Sequence, residues 1–204
     1  MTRLILIRAA QTDWQAQGRL VGDTDLTLNA VGRQQAAADR RAVAETGAQG
    51  IHCGTEEATR QTAAIVAEAL GLKPKASKDF REMNLGHWEG LTVEDFRERF
   101  AKVYRQWRSD PLSVEPPEGE SVLAVAARQE KGLEKILRRN GGATLVLVLG
   151  GFAYAVARCH FEDGGYIHFW DYVDSEEHRH SFEFEQKDKT ERQVSAKTES
   201  RSAS

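Results

Sequence analysis

The chain has 204 residues, of which 40% are hydrophobic and 29% charged, and a formal net charge of −3. This length suits one substantial core, and the mixed charges leave no basic stripe that would favour nucleic acid. Cys53 and Cys159 are the two cysteines, too few and too far apart for a disulfide framework or a cysteine-rich zinc site. No apolar stretch reaches membrane-spanning length, and the N-terminal apolar run is too short for a signal peptide. We therefore expect a soluble, cytoplasmic protein with neither nucleic acid nor membrane as a partner.

Apolar runs alternate with helical patterns along the chain. The predicted helices cover residues 30–45, a segment between 55 and 70, 92–100, a segment that ends at 110, a long stretch from 122 to a stop at 140, and 152–160. The predicted strands cover residues 4–8, 51–53, 144–149, 166–173 and 180–185, and residues 73–78 lead to a further short strand.

This alternation predicts an α/β fold, a three-layer α/β/α sandwich around a mostly parallel central sheet. We expect one domain over residues 1–185. Residues 186–204 consist mainly of Lys, Glu, Thr and Ser, with almost nothing to bury, so we expect a disordered tail.

The first strand ends at Arg8, and Ala9 and a polar loop over residues 11–28 follow it. Ligands in open α/β sheets bind at the carboxyl ends of strands, and long ordered loops often line such sites. The sequence therefore predicts a binding crevice after Arg8. A second strand end to consider is Leu149, which precedes the turn at Gly150.

Short motifs of one known family follow each other in order along the chain. They cover residues 4–14, 22–26, 28–32, 61–63, Glu82 with 85–90, 117–121 and 146–151. Together they resemble the histidine phosphatase superfamily, the phosphoglycerate-mutase-like phosphatases and mutases. The resemblance implies the family's fold and a site at the end of the first strand.

The chain departs from the family at the positions that handle phosphate. The resemblance implies a nucleophilic histidine where this chain has Ala9, and a second histidine where it has Leu149. An arginine that clamps phosphate falls on Ala58. Of the implied pocket, Arg8 and the acid–base glutamate, Glu82, are present.

Phosphoryl transfer requires preorganised charge stabilisation, and covalent catalysis also requires a nucleophile. Alanine and leucine supply neither, so we predict no intact catalytic site but a pseudoenzyme, a pseudophosphatase retained for ligand or protein binding or for regulation. We expect no cofactor and no bound metal. The residues that we expect to contact a ligand are Arg8, Gln11, Gln15, Gly22, Glu82 and Gly150.

Several alternatives stay open at this point. Arg8 either holds an anionic small molecule or pairs with Glu82, and a protein partner or a homodimer is compatible with the family. Residual or altered phosphatase or mutase activity on a phosphorylated small molecule or protein would use Glu82 with Cys53 or with a C-terminal histidine. We interpret Cys53 as a buried strand-end residue. A third hypothesis is a metal site at the histidines that the C-terminal part contains, His168, His178 and His180.

Overall fold

A computed structural model describes residues 1–185, so the predicted tail over 186–204 lies outside the described residues. A five-stranded sheet with the order β3-β2-β4-β1-β5 forms its centre. The first four strands in that order are parallel, whereas β5 runs antiparallel to β1. The strands are β1 (Thr2–Arg8), β2 (Gly50–Cys53), β3 (Lys75–Ala76), β4 (Thr144–Leu149) and β5 (Arg179–Phe184).

Helices connect the strands, and several of them begin at a capping side chain. Asn29, Thr92 and Ser121 each accept a backbone N–H at the start of a helix, as residues with short polar side chains do. No helix in the described part of the chain has both the length and the apolar character needed to cross a bilayer. The helices are α1 (Asp13–Ala16), α2 (Ala30–Val43), α3 (Glu57–Glu68), α4 (Val93–Arg99), α5 (Ala101–Ser109), α6 (Val122–Arg139), α7 (Gly151–Phe161) and α8 (Phe169–Asp174).

Helices cover both faces of the sheet. Successive side chains of a strand point to opposite faces, and β1 is apolar on both. Leu4 and Leu6 pack in a core cluster with residues of α6 and α7, whereas Ile5 and Ile7 pack in another with residues of α2 and α3. The predicted three-layer sandwich with a mostly parallel sheet is therefore confirmed.

The central strands bring two sequence-distant segments to one edge of the sheet. In the parallel pairing of β1 with β4, Arg8 lies opposite Leu149. The N–H of Ala9 donates to the carbonyl of Leu149 at 2.7 Å, which extends the pairing by one residue. As a result, the loop after β1 and the turn at Gly150 that begins α7 face each other across one crevice.

The prediction of a strand over residues 166–173 is wrong. The chain turns at Gly164 and Gly165, both with positive φ, and then forms a short 3-10 turn followed by α8. The aromatic and β-branched residues of this segment favour a strand by propensity, but their spacing is helical. The residues that share the core-facing side, three or four positions apart, are Tyr166, Phe169, Trp170 and Val173.

The last strand is confirmed. In β5, Phe182 and Phe184 pack against the core cluster beneath α6 and α7, while Ser181 and Glu183 are exposed. The strand pairs antiparallel with β1 and is the edge strand of the sheet beside the strand that ends at Arg8.

Candidate functional site

An open cleft of about 910 Å³ lies at the carboxyl ends of β1 and β4. It is the crevice that the sequence predicts, and the space is not filled by side chains. All six residues expected to contact a ligand line it, although binding by them stays a prediction. They are Arg8, Gln11, Gln15, Gly22, Glu82 and Gly150.

The three positions at which the chain departs from the family are placed differently. Ala9, only 7% exposed, and Ala58 both line the cleft. Leu149 is fully buried and packs in the core cluster on the side of α6 and α7. Two of the three positions could thus reach a ligand directly, whereas Leu149 serves the apolar core.

Arg8 holds the C-terminal end of α8 and the residue that follows it. Its Nη1 donates to the carbonyl oxygens of Val173 at 2.9 Å and Ser175 at 3.0 Å. No ion pair joins Arg8 to Glu82 in the part of the chain that the structure describes, so the alternative in which Arg8 pairs with Glu82 is not seen. Burial lowers the pKa of the Arg8 guanidinium, and the nearby Glu82 carboxylate acts in the opposite direction.

Glu82 caps the first turn of α7. Its Oε1 accepts the N–H groups of Met83 at 2.6 Å and Ala153 at 2.8 Å, and its Oε2 accepts that of Phe152 at 2.9 Å. The first N–H groups of a helix have no partner within the helix, and a carboxylate is favourable there. Both oxygens of Glu82 are therefore engaged by backbone, and the side chain is only 3% exposed.

The segment that carries Glu82 is fixed by an arginine of α6 that the sequence analysis did not identify. Arg128 donates to the carbonyl oxygens of Asp79, Arg81 and Glu82 at 3.2, 2.7 and 3.0 Å, and it also pairs with Glu120. A guanidinium has five donors in a fixed plane, which suits such multiple contacts. Nothing in the helical spacing of α6 distinguishes this arginine from its exposed neighbours.

Burial raises the pKa of Glu82 from its ordinary 4.5 to about 7, and Glu56 adds to the rise, whereas the accepted backbone N–H groups act against it. The folded protein therefore binds the proton of the Glu82 carboxyl group more tightly than the unfolded chain does. The stabilisation of the folded state that results is fully present below about pH 4.5 and is lost as the pH rises through 7. We expect the unfolding free energy to fall by about 3 kcal/mol over this window through Glu82. Urea unfolding at a series of pH values measures it.

The Glu82→Gln variant is the control for this pH dependence, because its side chain does not titrate. Its stability should decline less between about pH 5 and 7 than that of the wild type. Burial also raises the pKa of Asp39 to about 6, so part of the slope remains in the variant. Equal slopes in the two proteins would contradict a raised pKa at Glu82.

The loop after β1 is anchored by residues of the motifs that carry the family resemblance. Thr62 accepts the N–H of Ala10 at 3.0 Å, and Gln61 accepts that of Leu28 at 3.0 Å. Where the loop approaches the 85–90 segment, Glu89 accepts the N–H of Asp23 at 3.1 Å. These motif residues hold the cleft open because they fix the backbone of the loop after β1. They do not present charged groups to the cleft.

The structure adds an acid to the cleft that sequence reasoning missed. Glu56 is only 6% exposed and lines the cleft directly before α3. The Thr55 hydroxyl donates to its Oε1, and its Oε2 has no hydrogen-bond partner among the described residues. Burial raises the pKa of this carboxyl. Helical spacing back from the buried Thr59 and Ala63 was the signal that could have identified it.

Of the side chains proposed for alternative chemistry, Glu82 and His178 line the cleft, whereas Cys53 is not among its lining residues. Cys53 is buried, as expected, and burial raises the pKa of its thiol to about 11, which opposes a nucleophilic thiolate. Among the C-terminal histidines of the described residues, only His178 lines the cleft. His168 pairs with Asp171, and His180 pairs with Glu162 and Glu177. Within residues 1–185, no three His, Cys, Asp or Glu side chains come together in a group that could hold a metal ion.

Comparisons with known proteins identify relatives of this chain. The chain is 31% identical over 148 residues to phosphoserine phosphatase 1 of Hydrogenobacter thermophilus, covering 72% of this chain and 70% of that protein. It is 31% identical over 157 residues to the probable phosphoglycerate mutase GpmB of Yersinia enterocolitica, covering 75% and 71%. It spans only 40% of the length of longer mycobacterial relatives that are 35% identical to it.

A solved structure gives the same result for the fold. The mycobacterial glucosyl-3-phosphoglycerate phosphatase Rv2419c superposes with a TM-score of 0.71 at 27% identity, covering 82% of this chain and 85% of that one. The sequence profile of branch 1 of the histidine phosphatase superfamily matches residues 4–196, almost the whole chain. The chain therefore belongs to the histidine phosphatase superfamily.

Proposed function

We propose that this chain is a pseudoenzyme of its superfamily, which binds a ligand in the cleft and does not transfer phosphoryl groups. The observation that carries the proposal is Ala9, which lines the cleft directly after β1, where the family resemblance places the nucleophile. A methyl group cannot form a bond to phosphorus. Ala58 lines the same cleft and supplies no positive charge for a phosphate.

The charges along the cleft support the same proposal. The charged side chains that line it are three arginines and four acids, namely Arg8, Arg19 and Arg108 with Glu56, Glu82, Asp174 and Glu176. Stabilising a transferring phosphoryl group requires positive charge and hydrogen-bond donors around its oxygens. With four acids beside three arginines, the lining offers no excess of positive charge to match the two negative charges of a phosphate ester.

The openness of the cleft supports ligand binding over a purely structural role. Its volume of about 910 Å³ lies within the range of about 300–1,000 Å³ that is typical of small-molecule sites. An anionic small molecule at Arg8 is the ligand type that the remaining donors favour. A protein partner, a homodimer and a cytoplasmic location stay predictions.

A second candidate function is altered phosphatase or mutase activity on a phosphorylated small molecule or protein. The relatives with phosphatase and mutase names favour it, and so does His178, which lines the cleft. Burial and the charge of Arg8 lower the pKa of His178, so its imidazole is neutral and nucleophilic near pH 7.

The second candidate requires a complete phosphoryl-transfer sequence. A nitrogen of His178 would form a bond to phosphorus as the bond from phosphorus to the leaving oxygen breaks, and protonated Glu82 would give that oxygen a proton. Water would then displace the phosphoryl group from His178. The engagement of both Glu82 oxygens by backbone N–H groups weighs against this role and favours the pseudoenzyme.

Hydrolysis assays separate the two candidates. We expect the purified protein to release phosphate from para-nitrophenyl phosphate, phosphoserine and phosphoglycerate no faster than the buffer background, because the cleft offers no nucleophile at position 9. The measurement is phosphate release, together with transfer of radiolabelled phosphoryl groups to the protein.

The His178→Ala and His168→Ala variants provide matched controls for residual activity. Turnover that disappears in His178→Ala and persists in His168→Ala would contradict the pseudoenzyme and support the displaced nucleophile. Turnover that is equal in the wild type and both variants, and that separates from the protein on further purification, would be contamination and would support the pseudoenzyme.

A further inference from the structure

Arg8 presents one unoccupied edge of its guanidinium to the cleft. Its Nη1 is used by two backbone carbonyl oxygens, but Nε and Nη2 make no hydrogen bond to any residue within 1–185. These two donors lie on the same edge of the planar group, in the arrangement that binds both oxygens of a carboxylate at once.

The space in front of this edge is open because residue 151 is glycine. A Cβ at Gly151 would lie 3.1 Å from Nη2 and 3.4 Å from Nε of Arg8. A ligand oxygen that accepts from those donors would occupy the same region. Gly151 has no positive φ, so its missing side chain leaves room at Arg8 rather than meeting a backbone requirement.

The charge around Arg8 matches a ligand with one negative charge. Arg108 is paired with Asp174 at 2.7 Å, and the guanidinium of Arg19 donates to the carbonyl of Gly90 at 2.7 Å. Arg19 also donates from Nε to Gln17, so of the three arginines that line the cleft within residues 1–185, Arg8 is the one whose Nε and Nη2 are both without a partner. The buried Glu82 lies near it. One cation beside an acid matches one negative charge better than two.

Aromatic side chains also line the cleft. Trp107 stacks on Phe152 with ring centroids 5.7 Å apart, and Trp170 meets Trp107 edge-on at 4.8 Å. The aromatic residues that line the cleft are Phe96, Tyr104, Trp107, Phe152 and Trp170. Phe96, Trp107 and Phe152 are buried, so the accessible surface of this aromatic wall belongs to the partly exposed Tyr104 and Trp170. A flat apolar group that covers such a surface is bound favourably.

From these contacts we infer that the cleft binds a monocarboxylate with an aromatic body, its carboxylate on the Nε and Nη2 edge of Arg8 and its ring on the aromatic wall. This inference rests on the proposed non-catalytic function and names the ligand class for it. It also distinguishes the site from a phosphate site, for which one cation beside buried acids is a poor match.

Calorimetric titration with four matched probes tests the inference at about pH 8, where benzyl phosphate is a dianion. The probes are phenylacetate, benzyl phosphate, the neutral phenethyl alcohol, and acetate, which lacks the ring. We expect phenylacetate to bind at least about tenfold more tightly than each of the other three, because only it offers both the planar monoanion and the ring.

Three variants locate the bound carboxylate. Arg8→Lys keeps the positive charge and loses the two-donor edge, so phenylacetate should bind about tenfold more weakly. Gly151→Ala places a methyl group at that edge and should weaken binding by at least as much, without removing any charge. Arg60→Lys is the control, because Arg60 is exposed and paired with Glu57 on α3, and it should bind phenylacetate as the wild type does.

The outcomes separate this inference from the proposed function. Benzyl phosphate bound more tightly than phenylacetate and left intact would overturn the inference but leave the pseudoenzyme standing. Hydrolysis of benzyl phosphate would contradict the pseudoenzyme itself. Acetate as tight as phenylacetate, no binding of phenylacetate, or full binding by a folded Gly151→Ala variant would each overturn the inference.

Discussion

The Glu82→Ala variant is expected to lose about 2–4 kcal/mol of unfolding free energy, because three backbone N–H groups lose their acceptor. These groups belong to Met83, Phe152 and Ala153, and two of them lie in the first turn of α7. A buried donor that has lost its partner costs more than a hydrogen bond normally contributes. Urea unfolding, followed by circular dichroism at about pH 5, measures the loss, because folded Glu82 is protonated there and no buried charge is removed with the side chain.

The Glu82→Gln variant is the matched control for this loss. Its amide oxygen can still accept from Met83 and Ala153, but its NH₂ group faces the N–H of Phe152 instead of accepting it. We therefore expect a smaller loss, about 1–2 kcal/mol. If both variants are as stable as the wild type, Glu82 is not the structural cap of α7 that its contacts indicate.

Placing histidine at position 9 and arginine at position 58 is expected to create phosphatase activity. Both positions line the cleft, so the new side chains would enter it and supply a nucleophile and a positive charge. We expect the double variant to hydrolyse para-nitrophenyl phosphate at least about 100-fold faster than the wild type, since one preorganised donor alone typically changes rates by about 10²–10³. Phosphate release and radiolabelling of the new histidine measure the gain.

The two single variants divide this gain between its causes. Ala58→Arg alone should stay at the wild-type rate because it lacks a nucleophile, and Ala9→His alone should be labelled slowly. A double variant that folds but neither takes up label nor hydrolyses substrate would contradict the view that Ala9 and Ala58 are what prevents the reaction. Position 149 is left unchanged because Leu149 is buried in the apolar core.

The two family positions that this chain retains both have structural contacts. Arg8 holds the C-terminal end of α8 and the residue after it, and Glu82 holds the start of α7. Their presence is therefore consistent with a protein that no longer transfers phosphoryl groups. The same contacts keep the cleft shaped, and they leave one edge of Arg8 free for a ligand.

The amino-acid sequence by itself determined the α/β alternation, the strand that ends at Arg8 and the family. These follow from local patterns: continuous apolar runs for buried parallel strands, capping residues before helices, and short motifs in a fixed order. It also located the cleft and the absence of a histidine at position 9. Residues 166–173 are the exception, because their β propensity conflicts with their helical spacing, and packing of Phe169 and Trp170 against the core decided for the helix.

Only the tertiary structure decided what each residue of the site does. Glu82 and Phe152 are distant in sequence, and no local pattern shows that a carboxylate accepts the N–H groups of a helix that begins so far along the chain. The burial of Glu56 and the aromatic lining of the cleft likewise depend on packing between separate elements. The charges and hydrogen bonds in a cleft depend on which groups lie next to each other there. The fold as a whole brings those groups together, and no single segment of the sequence determines it.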